Sequence, residues 1–198
     1  MCRIRKDGAA TSMTKRALKK RIRIDSLRPN VWHQLRMLPH LKEYEYPAAA
    51  TLVDGTHHDC VLFFEVGSFT QKTLMPRIGS FGRHYRLDSD GIISRIIEPR
   101  SVSMVYQSTI STPIEIEKAM REAPAFPQMG SEGLVTILFS DGKRARYDGP
   151  YYAFIELPSG YSPKDIVKVK AFDKDEEVSF ELPGAKPMLC LFKRPDSD

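Results

Sequence analysis

Four neighbouring residues, His57, His58, Asp59 and Cys60, form the densest group of potential metal ligands in the chain. Imidazole, carboxylate and thiolate groups bind zinc, and a Cys–His pair is also the chemistry of thiol nucleophiles. The four residues lie in a stretch that reads as a strand, in which successive side chains point to opposite faces. We expect His57 and Asp59 on one face and His58 and Cys60 on the other. The sequence therefore predicts no metal site here, and no cofactor.

Another potential metal-binding segment, Asp88-Ser89-Asp90-Gly91, has the composition of a calcium loop. With Gly91 at the sixth position of such a loop, Arg86 and Ile97 would fall where carboxylates are required, so a polar turn is the better interpretation. The sequence also contains no Walker-type phosphate loop, no G-x-S-x-G elbow, no His-Glu-x-x-His motif and no dinucleotide-binding glycine pattern. An enzyme whose site is assembled from distant residues is thus only the third functional hypothesis.

Basic and aromatic residues cluster at Lys143, Arg144 and Arg146, with tyrosines at positions 147, 151 and 152. Arginine and lysine bind phosphate groups, and a tyrosine ring offers a surface on which a base can stack. This pattern makes the three cations candidate anion-binding or nucleic-acid-binding residues. The alternative, which we favour, is a solvated sheet face on which the arginine stems cover apolar surface.

The net charge of +5 is concentrated at the N-terminus. The first 25 residues hold nine basic and two acidic residues, a charge of +7, which leaves −2 for the rest of the chain. A basic arm attracts phosphates without the folded body being a nucleic-acid reader. The candidate anion-binding residues of the arm are Lys19, Lys20, Arg21 and Arg23. The alternative, which we favour, is a solvated leader, and Met13 offers a second start position.

Two Asp-Gly pairs between apolar runs, in residues 50–65 and 135–157, predict two β-hairpins. In the second, a three-residue loop ending at Gly142 pairs Phe139 with Lys143, Ile137 with Ala145 and Val135 with Tyr147. One face then becomes apolar, while the other carries Thr136, Leu138, Arg144 and Arg146.

The same loop in the first hairpin, Val53-Asp54-Gly55, predicts two faces that differ in polarity. The apolar face comprises Ala50, Leu52, Cys60, Leu62 and Phe64, and the polar face comprises Thr51, His57 and Asp59.

Helical periodicity predicts a helix over residues 112–123, with a capping box from Thr112 to Glu115 and a surface pair between Glu117 and Arg121. A shorter helix is predicted over residues 30–38, between two prolines. Alternating apolar residues predict further strands. These strands cover residues 21–25, 91–97, 101–106 and 188–192, together with a third hairpin formed by residues 167–171 and 178–182.

The fold class that follows is α+β and strand-dominated, with antiparallel hairpins that form one or two small barrel-like or sandwich units. We predict a basic arm (1–24), a first β-rich half (25–122), a Pro/Gly loop (123–133) and a second β-rich half (134–198). A single domain over residues 25–198 is the alternative.

Functionally, the sequence favours a non-catalytic β-rich protein that docks a protein partner through a sheet face or a free edge. Nucleic-acid binding through the arm and the basic face is the alternative hypothesis. Three widely spaced cysteines and the lack of a long apolar stretch predict a cytoplasmic protein that does not enter a membrane.

Overall fold

A computed structural model describes residues 22, 24–66, 94–123, 134–149 and 151–195 of the chain. This part of the protein is α+β and strand-dominated, as the sequence predicts, and it contains two helices and two mixed sheets. Neither sheet closes into a barrel. In chain order the elements are α1 (Pro29–Arg36), β1 (Glu45–Leu52), β2 (His57–Glu65), β3 (Ile96–Ile97), β4 (Val102–Tyr106), α2 (Ile114–Glu122), β5 (Leu134–Phe139), β6 (Arg144–Asp148), β7 (Ile166–Ala171), β8 (Phe180–Pro183) and β9 (Met188–Phe192).

The first sheet has the spatial order β3-β9-β2-β1-β4. The hairpin of β1 and β2 is antiparallel, and β4 extends it antiparallel to β1. The last strand, β9, lies parallel to both β2 and β3. Residues 188–192 thus form the strand that the sequence predicts, and they return the C-terminal part of the chain to the first sheet.

The second sheet has the order β7-β5-β6-β8. Its central hairpin confirms the predicted register, with Val135 opposite Tyr147 and Ile137 opposite Ala145. Gly142 has a φ of +83°, a left-handed conformation that glycine adopts at little cost, so it closes the three-residue loop. The prediction that Thr136 lies on a wet face is wrong, because Thr136 is fully buried.

The first hairpin follows the predicted register only near its turn. Ala50 lies opposite His58, and Gly55 has a φ of +85°. Further along, the pairing shifts so that Ala48 lies opposite Val61, which places Asp59 and Cys60 together opposite Ala49 in a β-bulge.

The bulge reverses the predicted faces of β2. Ala50 packs in one cluster with Val61 and Phe63, while Leu62 and Phe64 pack in another cluster on the opposite face. The predicted grouping of Ala50 with Leu62 and Phe64 is therefore wrong, because one extra residue inverts every side chain beyond it.

Both predicted helices exist, although the capping box of the second does not. The side chain of Thr112 makes no cap, and its buried hydroxyl has no hydrogen-bond partner. The Thr112 amide instead donates to the carbonyl of Ala153, which ties the residue to the neighbouring segment and leaves Pro113 to precede the helix.

The predicted third hairpin is wrong. β7 pairs antiparallel with β5, whereas β8 pairs in parallel with β6, so the two strands lie at opposite edges of the second sheet. Among the other predicted strands, residues 102–106 are confirmed. Of the predicted strand over residues 91–97, the structure describes residues 94–97, and of these Ile96–Ile97 forms a strand. Of residues 21–25, positions 21 and 23 lie outside the described residues and positions 22, 24 and 25 are not in a strand.

The segment that follows β6 contributes side chains to two core clusters, one at the first sheet and one at the second sheet. Ala153 and Phe154 pack in the cluster of Leu62 and Phe64, and Ile155 packs in the cluster that α2 and the second sheet enclose. Backbone hydrogen bonds join this segment to the residues just before α2, including Ile155 N–H to the carbonyl of Ile110 at 2.9 Å. The predicted division into two halves, or one domain, stays a prediction.

Candidate functional site

A groove of about 840 Å³ lies between the C-terminal half of α2 and the outer edge of β7. Five of its lining residues are apolar and three are charged. They are Ala119, Glu122 and Ala123 on the helix side, and Val169, Lys170, Ala171, Phe172 and Asp173 on the strand side. We call this feature the β7 groove.

The helix that forms one wall is fixed by its buried face. Ile116, Met120 and Ala123 pack in the core cluster of the second sheet, and Met120 is fully buried. A side chain as large as methionine contributes on the order of 2 kcal/mol when it is removed from water. The small side chain of Ala119, which is outside this cluster, lines the groove and leaves it open.

A charge cluster also anchors α2 to the first sheet. Arg121 Nε donates to Glu117 Oε1 at 2.8 Å, and Arg121 Nη2 lies 3.5 Å from Glu45 Oε2 on β1. Glu117 is only 3% exposed, so the prediction of a surface pair is wrong. The pair lies between the helix and β1, and it holds the wall of the β7 groove in place.

The second wall is an edge strand. β7 pairs with β5 on one side, and the sheet order places no other strand beside it in the described part of the chain. Val167 on this strand is 64% exposed. An edge strand carries a row of backbone groups that are available to pair with another chain.

The other edges are protected. In β4 the backbone amide of Val105 donates to Gln34 Oε1 of α1 at 3.1 Å, so the helix occupies a hydrogen-bonding position on that edge. β3 has two residues, and β8 is short and ends at Pro183. Among the strands that the structure describes, β7 is therefore the longest edge without such a block.

The loop after β7 is held by a carboxylate. Glu176 Oε1 accepts from Lys170 Nζ at 2.8 Å and pairs with Arg144 Nε at 2.9 Å. Phe172 lies against the guanidinium of Arg146, 5.4 Å from the ring centre. These contacts fix the end of the β7 groove at Phe172 and Asp173.

The predicted basic face is neutralised within the chain. Arg144 pairs with Glu176, and Arg146 pairs with Glu181 at 2.8 Å. Lys143 lies 3.3 Å from Asp141, and its hydrogen bond with the Tyr161 hydroxyl raises the pKa of this lysine. Each of the three cations already has a carboxylate partner. The other candidates, Lys19, Lys20, Arg21 and Arg23, lie outside the described residues.

The His-His-Asp-Cys segment is arranged differently from the prediction. The bulge brings His57, Asp59 and Cys60 to one face of the first sheet, although the sequence places His57 and Cys60 on opposite faces. Asp59 accepts hydrogen bonds from the backbone and hydroxyl of Thr109, and His57 stacks on Tyr106 with ring centres 5.4 Å apart.

The surroundings of Cys60 make its thiol unreactive. Burial is the main reason that the pKa of this thiol is raised to about 12, and the nearby carboxylate of Asp59 adds to it. A thiol in this state is a poor nucleophile and a poor metal ligand at neutral pH. Within the ranges that the structure describes, no three His, Cys, Asp or Glu residues are grouped so that they could hold a metal ion. The Asp88–Gly91 turn lies outside those ranges.

Sequence reasoning missed the β7 groove, although the alternation of Val167, Val169 and Ala171 with Lys168 and Lys170 marked the strand correctly. The missing information was the pairing partner, because assigning β7 to a hairpin with β8 hides the edge at which no other described strand pairs with β7. In the sequence, the small side chain of Ala119 next to the bulkier Met120 is the one local signal for an open groove.

No helix in the described ranges has the length and apolar character needed to cross a membrane. Comparison with protein-family models, with curated proteins and with solved structures found no match. The arrangement of the groove is accordingly the basis for a functional proposal.

Proposed function

We propose that this protein is a non-catalytic interaction module that binds an extended segment of a protein partner by adding it as a strand to β7. The observation that carries the proposal is the six-residue edge strand with a groove open between it and a helix. In strand addition, backbone hydrogen bonds supply affinity and pockets for alternate side chains supply specificity. The β7 groove offers both components.

The dimensions of the site support an extended occupant. Six residues of strand span roughly 20 Å at about 3.3 Å per residue. Side chains of an added strand that lie beside Val169 and Ala171 would enter the space under α2, where Ala119 and Ala123 are small. A helix or a folded surface would not reach the backbone groups of β7 in this way.

The proposal is tested by selecting binding peptides from a displayed library of random ten-residue peptides against the full chain. Selected peptides are then measured against Ala119→Trp, which fills the groove from the helix side. Arg36→Trp adds the same side chain at an exposed position of α1 and is the matched control. Circular dichroism verifies that both variants fold.

We expect peptides that bind the full chain and the Arg36→Trp variant equally, and that bind Ala119→Trp at least tenfold more weakly. Binding that is unaffected by Ala119→Trp, or a library that yields no binder, would contradict the proposal. A robust turnover that one point mutation abolishes would also contradict it, and would favour the third hypothesis, an enzyme.

Nucleic-acid binding through the arm and the basic face stays a prediction, and the pairing of Lys143, Arg144 and Arg146 with carboxylates adds no support to it. It requires binding that weakens steeply with salt. If a chain starting at Asp25 bound RNA and DNA as tightly as the full chain does, the predicted role of the arm in nucleic-acid binding would be wrong. The cytoplasmic location also stays a prediction.

A further inference from the structure

We infer that the segment bound at β7 alternates apolar and acidic residues, with an acidic side chain beside Lys168; this inference rests on the proposed strand addition. The reason is that β7 presents two chemically different faces to any strand added next to it.

One face is apolar and lies under α2. Val169 and Ala171 lie opposite Ile137 and Val135 of β5, whose side chains are fully buried in the core. In a strand added to β7, the residues beside Val169 and Ala171 point to this same face, because neighbouring strands share their faces in register. These positions require apolar side chains that fit between the helix and the strand.

The other face is basic. Lys168 lies opposite Leu138 and Lys170 lies opposite Thr136, so both lysines belong to the strand face that alternates with the face of Val169 and Ala171. Lys170 is already engaged by Glu176 at 2.8 Å. Lys168 is exposed and forms no ion pair with the carboxylates in the part of the chain that the structure describes. Opposite charges across neighbouring strands are favourable, so an acidic residue fits best beside Lys168.

The same lysines oppose pairing between two copies of this chain. An antiparallel pairing of two β7 strands centred on Val169 would place Lys168 of each copy opposite Lys170 of the other. Like charges directly opposite each other are destabilising, and lysine on an edge strand is a recognised barrier to edge-to-edge association. The unpaired cation thus selects an acidic partner over a second copy.

The test uses peptides selected from the random ten-residue library and binds them to Lys168→Glu, with Lys164→Glu as the control. Lys164 is also exposed and lies just before β7. Because both variants replace a lysine with a glutamate, they change the net charge equally. We expect the selected peptides to alternate apolar and acidic residues. Their affinity should fall about 5- to 30-fold in Lys168→Glu, since a favourable cross-strand pair becomes a repulsive one, and should change little in Lys164→Glu.

A charge swap completes the experiment. Replacing the acidic residue beside position 168 with lysine in the peptide should restore its affinity for Lys168→Glu and lower its affinity for the unmodified chain.

The alternative outcomes separate the two proposals. Peptides that are blocked by Ala119→Trp but ignore Lys168→Glu would overturn the acidic pattern and leave strand addition standing. Peptides that ignore Ala119→Trp would overturn strand addition itself. Self-association of the chain that Ala119→Trp abolishes would identify a second copy as the occupant and would also overturn the acidic partner.

Discussion

Gly149 and Gly184 approach each other so closely that neither position has room for a side chain. A Cβ built on Gly149 would lie 2.5 Å from the Cα of Gly184, and a Cβ built on Gly184 would lie 2.3 Å from the Cα of Gly149. The amide of Gly184 donates to the carbonyl of Asp148 at 2.7 Å. This contact holds the end of β8 against the end of β6.

Alanine at either glycine should therefore destabilise the protein by about 3 kcal/mol, the upper end of the usual cost of overpacking, because backbone atoms have to move apart. Gly142→Ala is the control. Its positive φ costs about 1–2 kcal/mol, but no atom lies within 4 Å of the added methyl group. Urea unfolding of the three variants measures the difference. If alanine at Gly149 or Gly184 lowered the free energy of unfolding no more than Gly142→Ala does, the close approach of the two backbones would not be the reason that these positions require glycine.

The pair of Glu117 and Arg121 should behave as a buried ion pair. Arg121→Met leaves the carboxylate of Glu117 buried without its partner, so we expect a loss of about 3–5 kcal/mol. The double variant Glu117→Gln/Arg121→Met should be less destabilised than Arg121→Met alone.

The control lies on the same helix. Lys118 and Glu122 also have i,i+4 spacing, but both side chains are more than 60% exposed and their charged atoms are 3.9 Å apart. Lys118→Ala should change the free energy of unfolding by less than about 1 kcal/mol. If Arg121→Met proved as mild as Lys118→Ala, the role of Arg121 in anchoring α2 would be wrong.

Both described cysteines should resist alkylation in the folded protein. Burial raises the pKa of Cys60 to about 12 and raises that of Cys190 as well, so almost no thiolate is present at pH 8. In a Cys2→Ser variant, iodoacetamide should modify neither thiol under native conditions and both in guanidinium chloride. Mass spectrometry measures the modification of each cysteine. Rapid modification of Cys60 under native conditions would contradict the prediction.

Stability should decrease in alkaline solution. Burial raises the pKa values of Cys60, Tyr147 and Tyr151 in the folded state, whereas unfolded thiols and phenols ionise at about pH 8.5 and 10. Above these values the unfolded chain holds fewer protons than the folded chain, so the free energy of unfolding falls as the pH rises. Urea titrations at pH 7, 9 and 10 should show this decline, and Cys60→Ala should reduce it. A flat profile would contradict the assigned burial.

The sequence predicts those parts of the fold that local chemistry determines. Gly142 and Gly55 fix the two turns, so the register beside each turn is correct. The bulge at Asp59 and Cys60 depends on how β1 and β2 pack between two core clusters, and the residues next to it in the sequence contain no pattern that predicts it.

The pairing of β7 was missed for a different reason. A charged turn between two alternating runs is typical of a hairpin, but whether β7 pairs with β8 or with β5 depends on long-range competition for a partner. The candidate site is the edge of β7 that this pairing leaves without a neighbour among the described strands, so the local sequence pattern does not predict the site. The ion pairs of Arg144 and Arg146 with Glu176 and Glu181 follow from the same long-range arrangement.

The most direct test of strand addition is a scan of single N-methyl groups along the backbone of one selected peptide. In an added strand, alternate amides point toward β7 and the others point away. Methylation should lower the affinity at least tenfold at every second residue and have little effect between them. A uniform tolerance, or losses without a period of two, would contradict the binding of an extended segment to the edge of β7.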